Sequence, residues 1–411
     1  MFLFYRILIN IIFIFSPIII FFRLLKRKED LLRFKEKLCF FTKRRSKGRL
    51  IWFHGASVGE IQSVIPLIEK FEKNKSIKQI LITSNTTSSS GIISKLNLKK
   101  TIHQFLPIDT KFLSNKFIDY WKPSKAFFID SEIWPNTLNN LSEKKIPIIL
   151  LNARITKKSF NRWMMLPNFA KSIFNKFYLC LSSSKETKKY LQKLGAKNIK
   201  YFGNLKFSMS ENEIIKIDSN IKKFISSKKL WCASSTHYNE EKFCGLVHIK
   251  LKKKYKNIFT IIIPRHINRV QSIIRELTKL NLKIHLDEPQ KKIRSDTDIY
   301  LVNSYGKTKS FYKICKNVFL GGSLINHGGQ NPLEAVRYGC NIYHGSNVSN
   351  FKEIYEFLKK RRVANKVNDQ NHLTMMLEKS LNKKNYSKKI IQNLNLEGLK
   401  VLKRTYKEIC L

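Results

Sequence analysis

Carboxylates and cations recur in this chain where an apolar, strand-like run gives way to a helical one, and side chains at such turns are the ones that meet ligands in α/β proteins. Glu60 closes "HGASVGE", Asp130 and Glu132 stand in "FIDSEIWPN", and Asn152 and Arg154 in "LLNARITKKS". Glu60 has two readings. With Ser57 three residues earlier it makes a capping box, the serine oxygen taking an N3 amide and the glutamate reaching back to the N-cap amide. At the mouth of a parallel sheet the same carboxylate is a candidate general base. Together with the hydroxyl-rich "TSNTTSSSG", these turns suit a polar acceptor with many hydroxyls. Taken singly, Asp130 and Glu132 read as capping acids and Trp134 as a core residue.

A second group suits phosphate. "GGSLINHGGQNPLEAVRYG" places two glycine pairs after a strand, and Asn331, Pro332 and Glu334 stand at the N-cap, N1 and N3 positions of a helix. Free amides at a helix start are an anion site, and glycine lets a phosphate approach the backbone. A capped helix after a turn explains the same residues. "CASSTHYNEEK" offers Ser234, Ser235 and Thr236 before Glu240 and Glu241, acids that would also complement a helix dipole. "IIIPRHINR" sets Arg265, His266 and Arg269 past a further strand end, where an arginine serves an anion or a surface salt bridge. Three such loops favour a phosphorylated nucleotide. No HExxH, CxxC, GxSxG or P-loop occurs, so neither metal nor cofactor is expected.

The elements that must hold these loops are legible from periodicity. "RLIWFH", "IKQILITS", "IHQFLP", "AFFID", "IPIILLNA" and "FYLCLSS" read as buried parallel strands separated by helical segments. A second series follows in "LWCASS", "IFTIIIP", "IYLVN", "NVFLGGS" and "NIYHG". This predicts an α/β protein with two doubly wound domains, at 49–205 and 206–385, the boundary falling between Lys206 and Asp218, and a C-terminal helix over 386–411. A chain of 411 residues suits two such cores. The opening "MFLFYRILINIIFIFSPIIIFF" predicts a membrane anchor over 1–22, either spanning or lying in one leaflet, and 23–48 a basic juxtamembrane segment on the cytoplasmic side.

The net charge is +49, from 78 Lys and Arg against 29 Asp and Glu. It is scattered, as either a solvated surface or a basic face toward anionic headgroups would have it. The seven cysteines lack paired spacing and read as reduced thiols.

In chain order, "HGASVGE", "SEIWPN", "NARITKKS", "GNLKF", "SSTHYNEE", "PRH" and "GGSLINHGGQNPLEA" resemble the motifs of the 3-deoxy-D-manno-octulosonic acid (Kdo) transferases of lipopolysaccharide synthesis. The resemblance implies a GT-B fold, with two Rossmann-like domains facing a cleft. It also implies inverting, metal-independent transfer of Kdo from CMP-Kdo to a lipid A precursor of the lipid IVA type, at the cytoplasmic face of the bacterial inner membrane. By motif, Glu60 would be the base, and Asp130 and Lys206 would stabilise the transition state. Pro264 and Arg265, the turn Tyr305, Gly306 and Lys307, and Asn331, Pro332, Leu333 and Glu334 fall where the family binds CMP. Ser57, Gly59, Arg154, Ser235, Thr236 and Ser323 would be weaker substrate contacts. Two positions depart from the family: Asp130 stands where Glu is usual, and Gly306-Lys307 where Gly-Glu is usual, with Asn303 in place of an earlier Asp. The implied partners are the donor, the lipid acceptor and inner-membrane lipid, without cofactor or nucleic acid. The alternatives are a transferase or epimerase for another activated sugar, or a basic membrane-anchored binding protein.

Overall fold

Apolar runs become strands buried on both faces when helices cover a parallel sheet from each side. The computed structural model of the protein describes residues 1–26, 28–96, 98–209, 217–288, 291–382 and 388–410. Its first sheet contains β1 (Leu50–His54), β2 (Gln79–Ser84), β3 (Thr101–Phe105), β4 (Lys125–Ile129), β5 (Ile148–Ala153), β6 (Leu179–Ser182) and β7 (Ile199–Tyr201). They lie in the order β3-β2-β1-β4-β5-β6-β7. The second contains β8 (Lys229–Thr236), β9 (Ile258–Pro264), β10 (Ile284–Leu286), β11 (Ile299–Leu301), β12 (Asn317–Leu320), β13 (Asn341–His344) and β14 (Ala364–Lys366), in the order β10-β11-β9-β8-β12-β13-β14. All pairings are parallel.

The strand order fixes where a ligand belongs. In each sheet the chain starts at the centre, runs to one edge and returns to the other side, which puts the switch points between β1 and β4 and between β8 and β12. Alternation anchors the first: Trp52 packs on Phe117 (5.1 Å) on one face, and Phe53 stacks on Phe127 (4.6 Å) on the other. Each fully buried ring contributes about 1.5–3 kcal/mol.

The chain divides into one unit of Met1–Ser210 with Leu396–Leu411 and another of Glu211–Asn395. Lys206 therefore belongs with the first sheet and does not head the second domain, because Leu205 is buried in the first core. The helix expected over 386–411 is found as Lys388–Cys410; its later part returns to the first unit, where Val401, Leu402 and Ile409 are buried. Residues 386–387, like 210–216 within the expected boundary, lie outside those described.

The N-terminal segment differs from the single spanning helix that its length allows. It forms α1 (Phe2–Ile14) and α2 (Ser16–Leu25), bent by 52° at Phe15, and among the described residues no single helix is long and apolar enough to cross a membrane. Pro17 explains the break, since it supplies no amide to the preceding turn and its ring crowds the carbonyl four residues back. Two polar residues of α1 turn to the protein: the Tyr5 hydroxyl donates to Asp109 (2.8 Å) and Arg6 Nε to Asn136 (3.1 Å). Part of the basic segment folds as well. Arg33 donates to both oxygens of buried Glu36, which also accepts the Phe105 amide (2.7 Å). The cysteines are free thiols, all buried except Cys410.

Candidate active site

β1 ends at His54, and the turn that follows opens α3 (Val58–Glu72) with Ser57 as N-cap. The Glu60 amide donates to Ser57 Oγ (3.4 Å), and the carboxylate is held by the Ala56 amide (2.8 Å) and the Ser57 hydroxyl (2.8 Å). This is the capping box displaced by one residue, since Glu60 takes the amide before the cap. Both donors to its carboxylate are neutral. Burial, then the nearby charges of Glu132 and Asp130, push its pKa up to about 7.

Across the switch point, Asp130 follows β4 with a left-handed backbone (φ 55°), and Asn152, next to the last residue of β5, adopts the same conformation (φ 51°). Asn152 Nδ2 donates to Asp130 Oδ1 (2.6 Å), and Lys206 Nζ to Asp130 Oδ2 (3.0 Å). Asn152 Oδ1 in turn accepts the Leu205 amide (2.9 Å), which fixes the turn that carries Lys206. Asp130 and Lys206 are 4% and 7% exposed. The shorter Asp130 side chain thus reaches a cation directly. Arg154 donates its amide to the Asp130 carbonyl (2.9 Å). Gly59 is in the first turn of α3, and no atom outside its own helix lies within 4 Å of a Cβ built on it.

Sequence reasoning placed Glu132 on this rim without a role and gave none to His54. Trp52 Nε1 donates to Thr83 Oγ1 (2.8 Å), and Thr83 Oγ1 lies 2.9 Å from His54 Nδ1. A Thr83 hydroxyl that donates there leaves the His54 proton on Nε2, facing Glu132 Oε2 (3.1 Å), which also accepts Trp134 Nε1 (2.9 Å). The available signal was the register, which pairs His54 with Thr83 and with Phe128 of the strand leading to Glu132. The hydroxyl-rich loop after β2 is largely self-satisfied, Thr86 capping the next helix through Ser89.

The loops of the second sheet divide differently from expectation. The amides that directly follow β12 are occupied: Glu240 accepts from Gly322 (2.7 Å), Ser323 (3.1 Å), Leu324 (3.0 Å) and also from His237 (2.9 Å). Ser323 is buried, its hydroxyl donating to the Leu320 carbonyl and accepting the Gly345 amide. Arg269 is committed to Glu241 through both guanidinium nitrogens (2.9 and 3.1 Å), so it is an internal ion pair. Arg265 stays exposed after Pro264, held by its amide to the Thr236 carbonyl (3.0 Å). Thr236 is buried, and Ser235 adopts a left-handed turn (φ 55°).

In the turn after β11, Tyr305 is 65% exposed and Gly306 takes φ 92°. Lys307 Nζ reaches inward to buried Asp287 (2.6 Å), which also accepts Tyr300 (2.7 Å) and Ser304 (3.1 Å). The side chain that departs from the family pattern is therefore a strut of the turn. Asn331 Oδ1 accepts the Leu333 amide (3.2 Å), but the helix begins one residue later than expected, at Leu333 with Pro332 as N-cap, which puts Glu334 at N2, 3.5 Å from Lys309.

Two doubly wound parallel domains, each with polar loops at its switch point, define the fold as α/β. The same fold occurs in a putative UDP-N-acetylglucosamine 2-epimerase from Listeria monocytogenes, which is 13% identical, with a TM-score of 0.60 over 86% of this chain and 94% of that one. Residues 32–209 match the family model described as 3-deoxy-D-manno-octulosonic-acid transferase (kdotransferase). The 3-deoxy-D-manno-octulosonic acid transferase of Rickettsia bellii is 31% identical over 95% of this chain and 93% of its own length. A probable mitochondrial one of Arabidopsis thaliana is 32% identical over 82% and 78%. The chain belongs to the Kdo transferase family and is a glycosyltransferase.

Proposed function

We propose that the protein transfers Kdo from CMP-Kdo to a sugar hydroxyl of a lipid A precursor, with Glu60 as general base. The observation that carries this reading is a carboxylate at the β1–β4 switch point with a pKa raised to about 7, beside an Asp130–Lys206 pair. A base with that pKa is half-ionised near neutrality and keeps a strong affinity for the proton it removes. The acceptor hydroxyl gives its proton to Glu60 as its oxygen bonds to the anomeric carbon. The bond from that carbon to the phosphate oxygen breaks on the opposite side, CMP leaves as an anion, and configuration inverts. Lys206, held by Asp130, places positive charge where negative charge develops. Arg265 and the turn Tyr305–Lys307, with Asn331 to Glu334, are assigned to the nucleotide.

The acceptor is a lipid, and α1 with α2 supplies a means of meeting it. Leu3, Phe4, Ile7, Ile18, Phe21 and Phe22 are exposed, whereas Tyr5 and Arg6 are tied to the protein. That division supports an apolar face resting in one leaflet of the bacterial inner membrane, on the cytoplasmic side. Deleting residues 1–22 is expected to move the protein from the membrane fraction to the soluble one; retention would assign targeting to the basic surface. For the reaction, incubation with CMP-Kdo and a defined lipid A precursor should give a product heavier by one or more Kdo units in mass spectrometry. An unchanged acceptor mass would sink the proposal.

A further inference from the structure

Three imidazoles stand together at the second switch point; each lies in a motif quoted above, and none has been given a role there. His237 follows β8, His266 follows β9 and His327 lies in the loop after β12. The His237 ring centroid is 4.3 Å from that of His327 and 5.6 Å from that of His266. His266 and His327 are exposed, whereas His237 is 7% exposed and its Nε2 has no hydrogen-bond partner. A buried polar atom without a partner is costly in a resting protein unless a ligand completes it.

Gly322 shows where that atom faces. A Cβ at this glycine would lie 3.3 Å from His237 Nε2 and 3.2 Å from His327 Nδ1, so both ring nitrogens converge on the same side of the loop. The surrounding charges leave this corner positive. Glu240 spends its carboxylate on four amides, Glu241 is paired with Arg269, and Tyr238 lies beneath the Arg269 guanidinium (5.6 Å), which leaves Arg265 exposed nearby. Burial, then His327, His266, Arg265 and Arg269, push the His237 pKa down to about 4. Near neutrality the ring is therefore uncharged, and an anion arriving there would draw a proton onto it.

We propose that His237, His266 and His327, with Arg265 beside them, seat an anionic oxygen group of the sugar donor, either its phosphate or the carboxylate of its sugar acid. The site rests on the donor assignment made above and deepens it. A cluster of imidazole donors binds oxygen anions without a permanent charge on each ring.

Titration calorimetry of the full-length protein in detergent, with cytidine, CMP and free Kdo, tests the cluster in wild type and in His237→Gln, His266→Gln and His327→Gln. His266 and His327 are exposed, so those variants should fold even where His237→Gln does not. CMP affinity falling about tenfold with cytidine unchanged, the scale of one lost hydrogen bond to a charged group, would identify the phosphate as the ligand. A similar loss for Kdo alone would identify the carboxylate. Wild type should also take up protons on binding, seen by comparing buffers of different ionisation enthalpy, and His237→Gln should take up fewer. A wild type that binds neither CMP nor Kdo would overturn the donor assignment itself. A wild type that binds while all folded variants match it would overturn the cluster alone.

Discussion

Glu60 and Glu240 occupy equivalent places in the two sheets, each in the first turn of the helix that follows a central strand at a switch point. Their surroundings set them apart. Glu60 receives one amide and one hydroxyl, lies near two other carboxylates and has its pKa raised to about 7. Glu240 receives four backbone amides, three of them from the glycine loop after β12, and is fully enclosed. The same residue at the same topological position thus carries a raised pKa in one domain and braces a loop in the other. Burial and two neighbouring acids act on the first carboxylate, whereas four converging amides tie the second into its loop.

The comparison breaks first at Glu240. Glu240→Ala leaves amides of His237, Gly322, Ser323 and Leu324 without their acceptor in a closed interior. The expected cost is about 3 kcal/mol or more, since each unmet buried donor costs about 1–3 kcal/mol and water can relieve part of the total. Thermal or urea unfolding of the variant checks this. A loss below about 1 kcal/mol would show that Glu240 is not the brace described.

At Glu60 the expected effect is on rate. Glu60→Gln retains an acceptor for the Ala56 amide and a partner for Ser57, so the cap persists while the base is lost. Turnover of CMP-Kdo should fall by a factor on the order of 10² or more, the scale of general-base removal, with CMP affinity unchanged. Unchanged turnover would reduce Glu60 to a cap and make the two glutamates alike.

Much of this contrast could not be read from the chain. The central strands were legible because runs such as "LIWFH" and "IILLNA" are buried on both faces. The three-residue strands β7, β10 and β14 were not, since they lie at or near sheet edges and include half-exposed residues that carry no apolar signal. Glu60 was legible through its spacing from Ser57. The pairing of Asp130 with Lys206 joins residues 76 positions apart, and spacing alone does not encode such a contact. Glu240 looked like a dipole-complementing acid because three of its four partners lie 82 to 84 residues away. Lys307 pointed to the nucleotide by motif and proved to face Asp287, which sequence never singled out.

A pH series tests the cause assigned to Glu60. Its pKa rises from an ordinary 4.5 to about 7 on folding, so between those values the native state holds a proton that the unfolded state has released. Stability falls with rising pH wherever the native state binds more protons. Wild type should therefore lose stability as pH rises from about 5 to 7, and above 7 it carries the whole cost of an ionised Glu60. Gln at this position never ionises and is exempt from that loss. Melting temperatures of wild type and Glu60→Gln should lie close together at pH 5 and separate toward pH 8, with the variant higher. A constant gap, or one that favours wild type at pH 8, would mean that the neighbouring acids and burial do not strain this carboxylate. The distinction from Glu240, whose replacement weakens the fold, would then be lost.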